Sequence, residues 1–339
     1  MGSDATSGSC GGAVARAKAR QEGSSPPGRY SAAAAARRLR PSGFRCAVTP
    51  WQPRPPLDPG KILRLLFTLT TALLLCLLGF AVGVFGTLVG AGGGFIVTPV
   101  LLLLYPHSTP QLITAISLVV VFFNATSGSA AYARQKRIDY RSGLIFAAAT
   151  VPGSIVGVLA ADSVSRPGFD VVMGVALTAL ALWLLLGHTE SGSGVEGVGS
   201  PRTIVSRDGT TYHYRARVRR GAVLSVGVGF VSSFLGIGGG VVHVPLMVAA
   251  LGFPTHVATA TSHFVLAFMA LVATITHILS GSFQHGVGLR RAASLSVGVV
   301  IGAQVGARVS QRVSGRRIQQ LLAGGLLVLG VRLILSVAI

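Results

Sequence analysis

Long apolar stretches separated by short polar breaks make up most of the chain after residue 60. The apolar segments lie near 62–88, 112–133, 143–161, 170–188, 222–251, 257–281, 292–308 and 318–338. Each is close to the roughly 20 residues that an α-helix needs to cross the hydrocarbon core of a bilayer. The pattern therefore predicts an all-α, polytopic membrane protein.

Composition and charge agree with a lipid environment. Only 11% of the residues are charged and the mean hydropathy is +0.66, whereas soluble domains carry about 25% charged residues. The net charge is +20, and beyond the tail the basic residues cluster in loops between apolar segments, chiefly 134–141 and 202–220. By the positive-inside rule, basic loops of this kind mark the side of the membrane that is not translocated. We therefore expect a lipid bilayer as partner and no nucleic acid.

One glycine-rich motif occurs twice. Gly90-Ala-Gly-Gly-Gly-Phe-Ile-Val-Thr-Pro99 returns as Gly236-Ile-Gly-Gly-Gly-Val-Val-His-Val-Pro245, and Thr114-Ala-Ile-Ser117 returns as Thr259-Ala-Thr-Ser262. A repeat of this kind indicates duplication of a helical bundle. We expect two homologous halves of about four transmembrane helices each, and each half opens with a glycine-broken hairpin.

Four regions follow from this pattern: a tail over 1–60, a first repeat over 61–188, a polar linker over 189–219 and a second repeat over 220–339. The tail is rich in Arg and Ser and poor in acids, which is typical of an organellar transit peptide. The alternative is an ordinary disordered basic tail. The expected location is thus a plastid or mitochondrial membrane, otherwise the plasma membrane. Within the linker, Asp208-Gly209 predicts a short β-hairpin.

The orientation depends on how often each half crosses the membrane. Four crossings place the N-terminus, the 134–141 loop and the linker on one side, but leave Arg308, Arg312, Arg316 and Arg317 on the other. An odd number inverts the halves and removes that conflict, but moves Arg290 and Arg291 to the translocated side. We favour four crossings in each half.

The two glycine segments are the candidate binding site. Three consecutive glycines followed by proline break a helix, and a helix that restarts there presents unpaired N–H groups that attract an anion. The alternative is close helix packing, which small residues such as Gly153, Gly157, Gly298, Gly302 and Gly306 serve. The glycines and prolines of the candidate site are Gly90, Gly92, Gly93, Gly94, Pro99, Gly236, Gly238, Gly239, Gly240 and Pro245.

Polar side chains near these segments complete the candidate site. Thr114, Ser117, Thr259 and Ser262 could donate to an anion or bond back to their own helix. Asp139, Asp162 and Asp170 all fall at loops, so a proton relay inside the membrane would depend on histidine. His243 and His263 are the candidates closest to the motifs, with His277 a third. Asn124 lies in an apolar segment, where a buried amide needs a partner.

The glycine-rich hairpin ending in proline, the Thr-x-x-Ser helix and the duplication resemble the sulfite exporter TauE/SafE family of membrane permeases. The resemblance covers about residues 62–338 without the linker. It implies a polytopic carrier for small anions, notably sulfite, sulfonates and related organosulfur compounds. The segment Tyr105-Pro-His-Ser-Thr-Pro110, the tail and the linker depart from the family pattern.

The leading hypothesis is a secondary transporter whose partner is a small anionic solute. A passive anion channel of the same architecture and a membrane-embedded scaffold with a basic linker are the alternatives. No nucleophile–base pair, metal-ligand spacing or cofactor motif occurs, so we expect no enzyme activity, no cofactor and no metal. The oligomeric state, including a homo-oligomer, is left open.

Overall fold

A computed structural model describes residues 59–186, 199–283 and 287–338 of the chain. The expected transit peptide and the first part of the linker lie outside the described residues. The first set of helices is α1 (Pro59–Val89), α2 (Gly94–Leu104), α3 (Pro110–Arg134), α4 (Tyr140–Ala161) and α5 (Arg166–Leu186). Two strands follow, β1 (Ser200–Val205) and β2 (Thr211–Ala216). The second set is α6 (Val218–Leu235), α7 (Gly240–Ala249), α8 (Thr255–Leu279), α9 (Val287–Val309) and α10 (Gly315–Ala338).

The polytopic all-α prediction is confirmed. Among the described residues, seven helices are long and apolar enough to cross a membrane, whereas α2, α7 and the apolar part of α10 are shorter. Large apolar side chains such as Leu73 and Val223 are about 70% exposed on the outer surface. Exposed apolar area of that extent is expected where lipid replaces water.

Both predicted helix breaks are present. α1 ends at Val89 and α2 begins at Gly94, with positive φ at Gly90, Gly92 and Gly93. α6 and α7 are separated in the same way, with positive φ at Gly236 and Gly238. Only glycine adopts this conformation without steric cost. A Cβ on Gly86 would collide with the amide nitrogen of Gly93, so α2 folds back along α1 as a hairpin.

Each hairpin packs against a helix from the other set. Gly298, Gly302 and Gly306 of α9 lie directly against the main chain of α1, where any Cβ would collide with the carbonyl oxygens of Cys76, Phe80 and Val84. Gly153 and Gly157 of α4 lie in the same way against α6. The close packing expected of these five glycines is confirmed, and the ascending order of the contacts shows that each pair of helices is parallel.

These directions define two faces of the protein. We call the face with the α3–α4 loop, the β-hairpin and the end of α9 the linker face. The opposite face holds the starts of α3, α5 and α9, where the Arg291 guanidinium lies 3.6 Å from the centre of the Tyr105 ring. Because α1 runs parallel to α9, it begins at the opposite face.

Four crossings in each half would place the start of α1 on the same side as the linker. The helix directions show that this prediction was wrong. α6 begins at the linker face and α1 at the other. Arg308 and Arg312 therefore join the remaining basic loops on the linker face, while Arg290 and Arg291 lie opposite. Hydropathy could not reveal this, because a broken hairpin that returns to the face where it began has the same apolar profile as a segment that crosses the membrane.

The predicted linker hairpin is also confirmed. β1 and β2 are antiparallel, with Val205 opposite Thr211, and Gly209 has φ of 84° in the turn. The Tyr214 hydroxyl donates to Asp139 Oδ2 at 2.9 Å. The hairpin is thereby attached to the start of α4 on the linker face.

The glycine contacts give a stability prediction. Gly302→Ala should destabilise the protein by about 1–3 kcal/mol, the usual cost of overpacking, because the new methyl group meets the Phe80 carbonyl. Gly324→Ala is the control, since a Cβ there has no neighbour within 4 Å and alanine favours helix by up to about 1 kcal/mol. Thermal unfolding in detergent compares them. Equal stability of the two variants would contradict the packing role.

Candidate functional site

The two glycine breaks meet inside the helical bundle. A Cβ on Gly94 would lie 2.5 Å from the carbonyl oxygen of Ile237, and one on Gly240 would collide with the carbonyl of Gly90. All residues of 90–94 and 236–240 are buried. The hairpin tips therefore cross in direct main-chain contact, and the structure is closed around them.

Hydroxyl groups hold each tip through a bond that crosses between the sets. Ser117 Oγ and Thr98 Oγ1 each donate to the Gly236 carbonyl at 2.7 Å. Ser262 Oγ, which corresponds to Ser117 in the repeated motif, donates to the Gly90 carbonyl at 3.4 Å. These bonds pair carbonyls that a broken helix leaves without an internal donor. In this conformation Ser117 and Ser262 thus support the main chain.

Unpaired donors gather at the start of α2. Its N-cap is Gly93, with φ of 79°, and the amides of Gly94 and Phe95 have no acceptor among the described residues. Beside them lies Asn124 of α3, whose Nδ2 is 3.3 Å from the Cβ position of Gly93. Asn124 is fully buried, and its Nδ2 is likewise without a partner within the described chain.

The orientation of the Asn124 amide is set by its neighbours. Thr87 Oγ1 donates to Asn124 Oδ1 at 2.8 Å, which leaves Nδ2 directed at the break. The Tyr132 hydroxyl donates to the Thr87 carbonyl at 2.7 Å and lies 3.3 Å from Ser310 Oγ. Buried donors without an acceptor are unfavourable by themselves. An anion at this position would accept hydrogen bonds from them.

The start of α7 offers a smaller set of donors. The amides of Gly240 and Val241 lack acceptors in the described part of the chain. Ser232 Oγ and Met269 Sδ each lie 3.2 Å from the Cβ position of Gly239, and the Ser232 hydroxyl is buried without a partner there. Met269 corresponds to Asn124 in the repeated motif, so this tip has a single hydroxyl where the first has an amide.

His263 belongs to the polar group around the first tip. Its ring meets the Tyr132 ring edge-on, with 5.5 Å between centroids. A Cβ on Gly128 would lie 2.5 Å from His263 Cδ2. His243 instead faces α6 and α4, with Nε2 at 3.1 Å from Ser225 Oγ and the Phe146 ring at 5.6 Å. The structure therefore separates two histidines that the sequence treats alike.

The remaining candidates have diverse surroundings. Thr114 Oγ1 donates to the Gln111 carbonyl of its own helix at 3.0 Å. Thr259 contacts Gly90, and its hydroxyl has no partner among the residues described. Pro99 and Pro245 are buried inside α2 and α7, where each removes a backbone donor from a short helix.

One acid differs from its expected place. Asp170 lies inside α5 rather than in a loop, and it pairs with Arg166 at 3.0 Å near the opposite face. Arg166 also donates to the carbonyls of Ser108 and Leu102. The pair thus joins α5 to the end of α2 and to the α2–α3 loop. Within the described ranges, no three His, Cys, Asp or Glu residues lie close enough to hold a metal ion.

Two residues of this site were not among the sequence-derived binding residues. Asn124 was noted as an amide in an apolar segment, which is the signal that could have identified it. Ser232 gave no such signal, because the sequence does not distinguish it from its neighbour Ser233. In the structure the two serines have different surroundings, since Ser233 Oγ lies 2.8 Å from Ser154 Oγ.

Comparison with known proteins gives a consistent result. Residues 75–333 match the family model described as Sulfite exporter TauE/SafE. The Probable membrane transporter protein YunE of Bacillus subtilis is 33% identical over 214 residues, which cover 61% of this chain and 78% of YunE. A probable membrane transporter protein of Xylella fastidiosa is 26% identical over 59% of this chain and 70% of its own. No solved structure matches.

The crossing hydroxyl bonds can be tested with a double-mutant cycle. Thr98→Val and Ser117→Ala should each destabilise the protein by about 0.5–1.5 kcal/mol, the net value of one hydrogen bond. The double variant should lose more than the sum, because the buried Gly236 carbonyl is then left without a donor. Denaturation in detergent gives the coupling energy.

The control for this cycle is Thr150→Val. Thr150 is buried, and its hydroxyl only donates back to the Ala147 carbonyl of its own helix. The result that would contradict this role is a double variant whose loss of stability equals the sum of the two single losses, each no larger than that of Thr150→Val. The Gly236 carbonyl would then not depend on the Thr98 and Ser117 hydroxyl groups.

Proposed function

Because the chain belongs to the sulfite exporter TauE/SafE family, we propose that this membrane transporter moves a small sulfur-containing anion: sulfite, a sulfonate or a related organosulfur compound. The observation that carries the proposal is Asn124 Nδ2 beside the first amides of α2, all of them without an acceptor among the residues that the structure describes. The family match supports the organosulfur class, and the site supports a negatively charged solute.

The electrostatics of the site favour an oxyanion. Two helix N-termini, each with a partial charge of roughly +0.5, lie at the crossing of the hairpins. In the described part of the chain, the side chains nearest the glycines of the two breaks are uncharged, so none of them repels an anion. Sulfite and sulfonate oxygens accept several hydrogen bonds at once, which suits the Gly94, Phe95 and Asn124 donors.

The helix directions support alternating access. The first set of helices starts at the opposite face and the second at the linker face, so the two sets run in inverted directions. In inverted carriers, broken helices form the site near the midplane and one unit moves against the other. We propose that the buried tips represent an occluded state, and that separation of the hairpins at either face admits the solute.

The distribution of charge supports one orientation. Arg134, Arg137, Arg217, Arg308 and Arg312 all lie at or near the linker face. By the positive-inside rule we place that face on the side from which the protein is inserted. An organellar membrane remains the prediction from the tail's composition.

Replacement of Asn124 tests the proposed site. Asn124→Asp keeps an acceptor for the Thr87 hydroxyl but exchanges the Nδ2 donor for a carboxylate oxygen. We expect the initial rate of sulfite flux in proteoliposomes to fall at least tenfold, since a hydrogen bond to an ion is worth about 1.5–3 kcal/mol. Asn124→Leu should do the same without adding a charge.

Phe123→Leu is the matched control, because Phe123 precedes Asn124 on α3 but is exposed. Wild-type flux in correctly folded Asn124→Asp and Asn124→Leu variants would refute the site. The wild-type rate should saturate with sulfite, and a linear dependence through the millimolar range would indicate a channel.

We also propose that a proton accompanies the anion and that His263 carries it. His263 lies beside Tyr132, whose hydroxyl supports the main chain at the first tip, and no carboxylate of the described chain lies at either tip. An imposed pH gradient should stimulate wild-type flux, and His263→Gln should abolish the stimulation. His243→Gln should retain it, because His243 faces away from the tips. Unchanged stimulation in His263→Gln would exclude this coupling.

A further inference from the structure

A cavity of about 350 Å³ lies at the linker face, away from the glycine breaks. Its walls come from three separate parts of the chain: the end of α3, the end of α9 and the turn of the β-hairpin. Arg134, Arg308 and Arg207 are the cationic residues of these three walls, and Gln304 and Asp208 also line the cavity.

The hairpin turn is held firmly enough to form a wall. The Gln135 carbonyl accepts from the Arg207 amide at 3.0 Å and from Ser206 Oγ at 3.2 Å. The buried Arg137 donates through Nε to Ser206 Oγ and through Nη2 to Asp208, both at 3.0 Å. The opposite wall is fixed by Gln135 Nε2, which donates to the Ala307 carbonyl at 3.0 Å.

The charges of the lining are unbalanced. Asp208 is its one acid, and this carboxylate already pairs with Arg137. The Thr210 backbone N–H lowers the pKa of Asp208 to about 2, so the residue stays ionised near neutral pH. Arg134 donates to Gln304 Oε1 at 3.3 Å. Among the described residues, neither Arg207 nor Arg308 forms an ion pair.

We propose that this cavity is a binding site for a multivalent oxyanion group, a phosphate or sulfate that is free or carried on a larger molecule. Arg134, Arg207 and Arg308 are exposed side chains of three different walls, so an anion in the cavity has a cationic side chain on each of them. Arginine is also the residue that matches a tetrahedral oxyanion through paired N–H donors. The volume of about 350 Å³ is far more than the ~10–15 Å³ that one water molecule needs, so a tetrahedral oxyanion fits in the cavity.

The site does not depend on the proposed transport activity, and its ligand is not assumed to be the transported solute. Its position suggests what occupancy does to the fold. An anion bound by Arg134, Arg308 and Arg207 would join α3 and α9 to the linker. Tyr132 of α3 and Ser310, which follows α9, are in contact nearby, and Tyr132 also donates to the Thr87 carbonyl before the first tip.

Binding is best measured on the full-length protein, purified in an uncharged detergent at constant ionic strength. Titration calorimetry with inorganic phosphate, sulfate and a phosphate monoester tests the free anion. Nanodiscs of phosphatidylglycerol, compared with phosphatidylcholine, test a lipid headgroup as the source of the same group. We expect Arg308→Gln and Arg207→Gln to weaken binding at least tenfold in whichever arm binds.

Arg312→Gln is the matched control, since Arg312 is an exposed arginine of the same face that does not line the cavity. Wild-type affinity in Arg312→Gln together with weakened binding in Arg308→Gln would support the site. Binding that is equal in the two variants, that chloride displaces equally well, or that is absent from every arm would overturn it. Unchanged thermal unfolding of Arg308→Gln separates a lost ligand from a lost fold.

Discussion

The structure depends on one constraint: main-chain polar groups of a broken helix, enclosed by apolar side chains, must find partners inside the protein. The Gly236 carbonyl meets it through Ser117 and Thr98, and the Gly90 carbonyl through Ser262. Each partner lies across the crossing, on a helix of the other set. Against this background of paired groups, the amides of Gly94 and Phe95 and the Asn124 Nδ2 are informative, because they are buried and have no acceptor in the described chain.

The crossing bonds also limit how the hairpins can move. The first tip is held from α8 and the second from α3, so neither tip can leave the crossing without disturbing a helix of the other set. The parallel glycine contacts of α1 with α9 and of α6 with α4 hold the outer arm of each hairpin. A movement that opens one face is therefore expected to involve a hairpin together with its parallel partner helix, rather than a hairpin alone.

Sequence reasoning was strongest where glycine permits a conformation that other residues resist. The breaks at Gly90–Gly93 and Gly236–Gly239 and the turn at Gly209 follow from local chemistry. The spacing of Gly302 with its neighbours also predicts close packing, but only the structure gives Phe80 as its partner. It was weakest for helix direction, which decides the face of the protein on which a residue lies. A hairpin and a crossing have the same hydropathy, so the faces of Arg308 and Arg291 needed the structure. Ser117 could equally have bonded to its own helix, and only tertiary packing directs it to Gly236.

The absence of charged side chains among the described residues beside the proposed anion site has a consequence for turnover. Removing one partner from a buried ion pair costs about 3–5 kcal/mol. An arginine at the tips would therefore hold an anion strongly, and release of the anion would leave a buried charge without a partner. Helix termini interact with an anion by about 0.3–1 kcal/mol, up to about 2 in partly buried sites, and Asn124 adds one hydrogen bond. Such donors bind without leaving a full charge behind. Arg134, Arg207 and Arg308 lie instead at the linker face, where they are exposed to water.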